Sequence, residues 1–347
     1  MSKPKQAKLV QMIPIRRCVS HAIRLRLNFS PEFYSPYPLH IVDFMPLAEL
    51  YGDLSDDFTY FQLIIDLVGL QNATMIKWDG VALDPVKIFE ALKNSFRSVH
   101  AVVWQMLRQA GKQYNAKVVM NKSLDNVHYA EELISLFPNI KFLYVVRDPR
   151  AQINSINLSI LHHFHTLLNT LIWVKAQDAA TALVEQYPQQ VLTIRYEDFL
   201  TKQEVTLKKI CEFIGIDFLS SMLDVSASQE AQKIAVLFAL WETNSSAPIQ
   251  SYIDKFKQQL SIEEIAIIET LTGGYMDKYG YTPMTSADFV ITQEAMEKAK
   301  QQDDAKKTAA WQKLKFKDPR DYQLRKFRAD YLNMLKQRLL IESFVDD

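Results

Sequence analysis

Two short apolar runs bracket a helical segment between residues 117 and 146, and this arrangement constrains the fold more than any other stretch. Residues 117–120 (KVVM) and 142–146 (FLYVV) read as strands covered on both faces, since a half-buried strand alternates apolar with polar residues. Between them, residues 129–137 put Ala130, Leu133, Ile134 and Phe137 on one side of a helix, which Pro138 and Asn139 stop. A strand–helix–strand unit of this kind implies an α/β fold with a mainly parallel central sheet flanked by helices. Both strands end in polar residues, Asn121-Lys122-Ser123 and Arg147-Asp148-Pro149-Arg150. Ligands of open parallel sheets bind beyond the carboxyl ends of the strands. Lys122 and Arg147, at two such ends, therefore offer a local anion site.

The second end carries more detail. Asp148 suits a helix N-cap and Pro149 the first helical position. Ser155 then falls roughly two turns further, on about the same side as Asp148. An Arg at the strand end and a Ser on the next helix can grip one phosphate. This pattern resembles the sulfotransferases that use 3′-phosphoadenosine 5′-phosphosulfate (PAPS), and the stretches NKS and FPNIKFLYVVRDPR look most like the branch holding the tyrosyl-protein and carbohydrate enzymes of the Golgi. The similarity extends through VLTIRYEDFLTKQEVTLKKICEFIGIDF and, more loosely, to a GY end, covering residues 9–282.

The resemblance implies a P-loop-like sulfotransferase fold, with PAPS as donor, PAP as product and no metal. It assigns Arg147 and Ser155 to the 3′-phosphate and Lys122 to the sulfate and leaving oxygen. Tyr196 falls in the nucleotide-binding part of the pattern, and Ser245, Ser246 and Lys255 in a segment that closes over the nucleotide. The loop after the first strand, where the family binds the 5′-phosphosulfate, is Arg17-Cys18-Val19-Ser20. Arg17 and Ser20 match, whereas Cys18 stands for Ser and Val19 for Gly. A β-branched residue takes positive φ poorly, so a degenerate PAP binder without turnover stands as an alternative. A small-molecule kinase is a second, but no glycine precedes Gly52, which excludes a G-x-x-x-x-G-K loop here.

The general base is not given by the motif. Where cytosolic sulfotransferases place a His, this chain has Asn121-Lys122-Ser123. The tyrosyl-protein branch uses a Glu after the first helix, and the matching segment, SPYPLHIVDF, has none. His40 and Asp43 are the ionisable candidates. Read as a strand over 39–44, the segment sends them to opposite sides, so one of them reaches the pocket. His40 has the better intrinsic pKa for a base near neutral pH.

Composition limits the partners. Formal charge is zero and the pI is about 7.1, so no overall field draws the chain to nucleic acid or to a membrane. Cys18 and Cys211 are far apart and fit no metal spacing, as in a reduced, cytoplasmic protein. The start is too broken for a signal peptide, and no run is long enough for a membrane helix; Golgi sulfotransferases carry an anchor, so a soluble relative is expected. His162, His163 and His165 lack a nearby carboxylate or Cys, so surface or pocket roles are expected.

A small-molecule acceptor with a hydroxyl or amine, of natural-product type, is expected, with Tyr34, Tyr37, Tyr51, Trp78 and Trp104 as aromatic walls. Asp53, Asp56 and Asp57 could attract a cationic group, and Arg16, Arg24 and Arg26 read as surface or capping residues. Helices are predicted over 58–70, 85–110 (ended by Gly111), 164–187 and, from a Thr201–Glu204 capping box, to Phe213. Residues 1–284 form the catalytic domain. The charged helices of 285–347 either pack on it or mediate self-association, and carry no chemistry of their own.

Overall fold

The computed structural model describes residues 6–160, 162–237 and 253–342. Ser245 and Ser246, expected to contact the nucleotide, lie outside them. The strands are β1 (Lys8–Ile13), β2 (Phe33–Tyr34), β3 (Val118–Asn121), β4 (Lys141–Val146) and β5 (Val191–Arg195). They form one sheet in the order β2-β3-β1-β4-β5, and every pairing is parallel. The helices before the central crossover are α1 (Ser20–Leu27), α2 (Met45–Ala48), α3 (Asp57–Asn72), α4 (Pro85–Leu92) and α5 (Val99–Gln113). Next come α6 (Ala130–Leu136), α7 (Pro149–Asn157), α8 (Thr166–Gln186), α9 (Tyr196–Thr201), α10 (Gln203–Ile214) and α11 (Gln229–Leu237). The chain closes with α12 (Ile262–Tyr279), α13 (Gln293–Lys317) and α14 (Pro319–Glu342).

The continuous apolar strands are buried on both faces, as their composition requires. Successive residues alternate between two cores: Leu9, Val119, Phe142 and Tyr144 enter one, and Val10, Val118, Leu143 and Val145 the other. The first core is the larger and takes α3, α5 and α8, while α1, α9 and α10 cover the other face. β1 is central. From it the chain moves to β2 and β3 on one side, then crosses to β4 and β5 on the other. The loops after β1, β3 and β4 therefore meet where the direction of winding reverses.

Several local expectations need correction. The predicted 85–110 helix is two helices, broken at residues 93–98 where Ser98 starts a new N-cap on Ala101. Gly111 does not end α5 but lies inside it. A Cβ there would come within 2.4 Å of Val119 Cγ2, so glycine lets α5 settle onto β3. No capping box forms at Thr201, whose hydroxyl instead donates to Glu197 O at the end of α9, a helix the pattern did not reveal. The predicted strand over 39–44 is a 3-10 turn, Ile41–Asp43, entered through His40 in the left-handed region at φ 52°. The amides of Asp43 and Phe44 donate within the turn, to His40 O (3.2 Å) and Ile41 O (2.8 Å), and not to a neighbouring strand.

The C-terminal extension packs on the body. Tyr331 of α14 lies against α3 so closely that a Cβ on Gly69 would sit 2.0 Å from its hydroxyl. That hydroxyl donates to Asp66 O (3.0 Å), and the Asp66 carboxylate accepts from Tyr51 and pairs with Arg338. On α13, Asp303 takes the amide of Phe164 and the ring of His163. His165 caps α8 through Leu167 N. Two of the three histidines thus serve local structure.

Candidate active site

The loop after β1 has no glycine, yet Arg17 and Val19 both adopt left-handed φ, 70° and 65°. Such conformations cost about 1 to 2 kcal/mol in a non-glycine residue and persist only where the surroundings impose them. Here α7 and Arg147, which follows β4, impose them. Gln152 Nε2 donates to Arg16 O (2.8 Å) and Ile15 O (3.3 Å), and Arg147 Nη1 donates to Arg17 O (2.7 Å). Arg17 Nε in turn donates to Ser155 Oγ (2.9 Å). Val19 thus takes the backbone shape expected of glycine, and α1 begins directly after it with Ser20 at its first position.

The strand ends supply the rest. Asp148 caps α7 through Arg150 N, with Pro149 at the first position, as the sequence predicts. Arg147 is 7% exposed, its guanidinium lies 4.1 Å from the Tyr196 ring centroid, and its Nε is buried without a hydrogen-bond partner among the described residues. The second Arg of that motif does something else. Arg150 bridges Asp148 and Glu269 and binds Thr282 O, tying α12 to the strand end. Burial and the neighbouring Arg147 bring the Arg17 guanidinium down to about 10. Packing two cations together without a carboxylate is costly and points to an anionic ligand.

Lys122, at the end of β3, is 3% exposed, and no side-chain hydrogen bond or ion pair holds its ammonium among the described residues. Burial, with Arg24 and Arg16 nearby, pushes it well below the usual lysine value. Beside it, Asn121 Nδ2 and Ser123 Oγ are buried without partners among the described residues. Cys18 is fully buried and its thiol is pushed up to about 11, which suits a filler and not a nucleophile.

Other expected residues fall into place unevenly. His40 lies within electrostatic reach of Arg16, Lys122, Arg328 and His21, and burial with these cations holds its pKa well below 6.5. Its Nδ1 is buried without a hydrogen bond among the described residues. Asp43 is half-exposed and pairs with Arg328 (3.1 Å). Lys255 is exposed, in a short 3-10 turn beside α7: Asn154 of that helix donates to Gln259, and Phe256 stacks under Arg150.

Arg16, Arg24 and Arg26 are all buried and are not surface residues. Arg16 pairs with Asp125 (3.2 Å), and Arg24 with Glu230 (2.6 Å) and Ser35 O. Of the five aromatic walls, Tyr37 stands next to the site, stacked on His21 and edge-on to His40. Trp104 and Tyr51 are core residues, Trp78 donates to Tyr37 O, and Tyr34 stacks on Tyr114. The acids expected to draw a cation are engaged at the surface: Asp53 with Ser55, Asp56 as the cap of α3, Asp57 with Arg97.

The sequence pattern of the sulfotransferase family matches residues 48–220. The sulfotransferase domain of the Synechococcus PCC 7002 olefin synthase superposes with a TM-score of 0.55 at 19% identity, covering 81% of this chain and 98% of that one. The sulfotransferase domain from the curacin biosynthetic pathway gives 0.52 at 17% identity, covering 80% and 98%. Residues 48–220 thus resemble the sulfotransferase family, and the chain has the sulfotransferase fold. A curated relative, omega-hydroxy-beta-dihydromenaquinone-9 sulfotransferase Stf3 of Mycobacterium tuberculosis, is 24% identical over 178 residues. That match spans 48% of this chain and 42% of the relative, so less than half of the relative's length is represented.

The expected fold, a mainly parallel sheet flanked by helices with a C-terminal helical extension, is the observed one. Sequence reasoning missed Gln152, which shapes the loop after β1, and His21 and Arg328, which border His40. Gln152 lies in the motif itself, five residues after Arg147, but nothing in its identity reveals a contact with residues 15 and 16. No helix among the described residues is long and apolar enough to cross a membrane.

Proposed function

We propose that the protein transfers a sulfuryl group from PAPS to a hydroxyl or amine of a small-molecule acceptor, releasing PAP. One observation carries this reading: Arg17, Lys122, Arg147 and Ser155 converge at the carboxyl ends of β1, β3 and β4, with buried donors left unsatisfied. A donor set of guanidinium, ammonium, hydroxyl and the start of α1 fits the charge of a nucleotide with two phosphate-bearing ends. Arg147 and Ser155 would hold the 3′-phosphate, with Tyr196 behind the guanidinium. Arg17, Ser20 and the amides at the start of α1 would hold the 5′-phosphosulfate.

The donor supplies an activated sulfuryl group, and the chain's own residues position and balance charge. Lys122 would meet the charge that grows on the leaving oxygen, an interaction stronger in the transition state than before it. His40, kept neutral by its surroundings, would accept the acceptor's proton at Nδ1, which is buried and has no hydrogen-bond partner among the described residues. The bound donor's negative charge would offset the cations around His40 and raise its basicity at the moment it is needed. The surface engagement of Asp53, Asp56 and Asp57 leaves a cationic acceptor without support. The relatives' setting in biosynthetic assemblies favours a natural-product acceptor.

The left-handed Val19 weighs against the degenerate-binder alternative, because the loop keeps the required shape. Calorimetric titration with PAP and with ATP tests the site, and binding of ATP in preference to PAP would turn the reading toward a kinase. Turnover of labelled PAPS with phenol, 2-phenylethanol, 3-hydroxybutyrate and benzylamine then separates an enzyme from a binder. PAP binding without consumption of PAPS on any acceptor would leave a binder.

A further inference from the structure

We propose that Arg328, on the C-terminal helix α14, is a positioning residue for the reaction: it fixes the turn that presents His40 to Lys122. The inference rests on the reading of His40 as the base. Arg328 is 8% exposed and crosses 288 residues of sequence to donate from Nη2 to His40 O at 3.0 Å. The same nitrogen donates to Asp43 Oδ2 at 3.1 Å, so one guanidinium clamps both ends of the 3-10 turn.

That turn needs a clamp. His40 sits at φ 52° and ψ 53°, a conformation that a non-glycine residue leaves readily unless its neighbours hold it. The Asp43 carboxylate is half-exposed and contributes little by itself. The carbonyl of His40 accepts from Asp43 N within the turn (3.2 Å) and takes its second donor from α14. Further along the same helix, Tyr331 and Arg338 dock on α3 through Asp66, so the clamp is mounted on a fixed element. The extension, which the sequence marks only as charged helix, therefore completes the site.

The groups facing the imidazole come from four other elements: Arg16 after β1, His21 on α1, Lys122 after β3 and Arg328 on α14, with Tyr37 edge-on. Removing one of those cations raises the pH at which His40 takes up a proton.

The test uses the full chain with Arg328→Gln, Arg328→Lys, His40→Ala and the His40→Ala/Arg328→Gln double variant. PAPS turnover is read with 2-phenylethanol as probe acceptor, and the His40 C2–H resonance, assigned by its loss in His40→Ala, is titrated by NMR. We expect Arg328→Gln to lower kcat tenfold or more while KM for PAPS stays within twofold. It should add nothing to His40→Ala and should move the His40 titration to higher pH, and Arg328→Lys should recover both. A loss that multiplies on His40→Ala, or an unmoved His40 titration, overturns the positioning role and leaves the base assignment standing. A loss below tenfold in His40→Ala overturns the base assignment and the positioning role with it. Melting temperatures identify any variant that fails to fold, and the Lys variant keeps the question answerable if Gln does.

Discussion

Arg17 Nε donates to Ser155 Oγ at 2.9 Å, so the loop after β1 and the second turn of α7 form one connected surface. The resemblance divides these residues between the two ends of the nucleotide, Arg17 at the 5′-phosphosulfate and Ser155 at the 3′-phosphate. On that assignment, their hydrogen bond would couple the two ends.

The coupling changes what mutations should do. Arg147→Ala should weaken PAP binding by about 1.5 to 3 kcal/mol, the usual worth of a hydrogen bond to a charged group. Arg147→Lys should recover little of this, because the flat face on Tyr196 and the bond to Arg17 O both need a guanidinium. Ser155→Ala should cost less, but it should also weaken adenosine 5′-phosphosulfate, which lacks the 3′-phosphate, because Arg17 loses its anchor. Calorimetry with both ligands checks this. If Ser155→Ala changed PAP alone, the two ends would be independent.

Val19→Gly is the sharpest test of whether the loop is degenerate. The substitution relieves a left-handed β-branched residue, worth about 1 to 2 kcal/mol. It also forfeits packing of a half-buried side chain and about 0.5 to 1 kcal/mol of chain entropy. The melting temperature should therefore barely move, and PAP affinity should stay within about threefold, under 1 kcal/mol. A variant that gained turnover where the parent had none would show that Val19 disables the site.

Lys122→Met should stabilise the ligand-free protein while removing activity. The lysine's folded pKa lies well below its unfolded 10.5, so below pH 10.5 the unfolded state holds a proton more readily than the folded one. At neutral pH its burial is thus a cost, borne for function. Thermal unfolding at pH 7 should show a melting point higher by ~2 °C or more. PAPS turnover should fall much further than PAP affinity. A lower melting point would mean that the ammonium is satisfied in the folded state.

How far the sequence reveals this site depends on range. Asp148, Pro149, Arg147 and Ser155 lie within two helical turns, and the geometry of a strand running into a capped helix fixes them locally. Lys122 follows from the same rule applied to β3. The His40 turn reads as a strand because Leu39, Ile41, Val42 and Phe44 make a short apolar stretch, while a contact that shapes it comes from Arg328 in a helix far along the chain. Arg16 and Arg24 look like solvated charges until Asp125 and Glu230 are brought beside them by the fold. Pairings of this kind leave no periodicity in the sequence.

Acid should weaken the fold through histidines that are buried neutral. His162 is brought down to about 4 and His21 and His40 well below 6.5, mainly by burial and then by neighbouring cations. Above pH 6.5 both the folded and the unfolded chain keep these rings neutral. As pH falls from about 6.5 toward 4, the unfolded chain takes up the protons first, and each ring removes up to 1.36 kcal/mol per pH unit. Melting temperatures should drop between pH 7 and 5, and His162→Gln should flatten that drop. An unchanged slope in the variant would show that His162 titrates normally.

Gly69→Ala tests whether α14 is docked as described. In the middle of an ordinary helix this change stabilises by about 1 kcal/mol. Here the new Cβ would stand 2.0 Å from Tyr331 Oη and 2.9 Å from Cζ, so either the ring or the whole of α14 must move. A net loss of about 1 to 3 kcal/mol is expected, as for an overpacked core. The loss should vanish in the Tyr331→Ala background, where the helix-propensity gain alone remains. That reversal of sign is what a double-mutant cycle resolves for residues in direct contact. Chemical denaturation of the four proteins measures it. A stabilising Gly69→Ala in the parent would place α14 away from α3, and would remove the mount on which the Arg328 clamp depends.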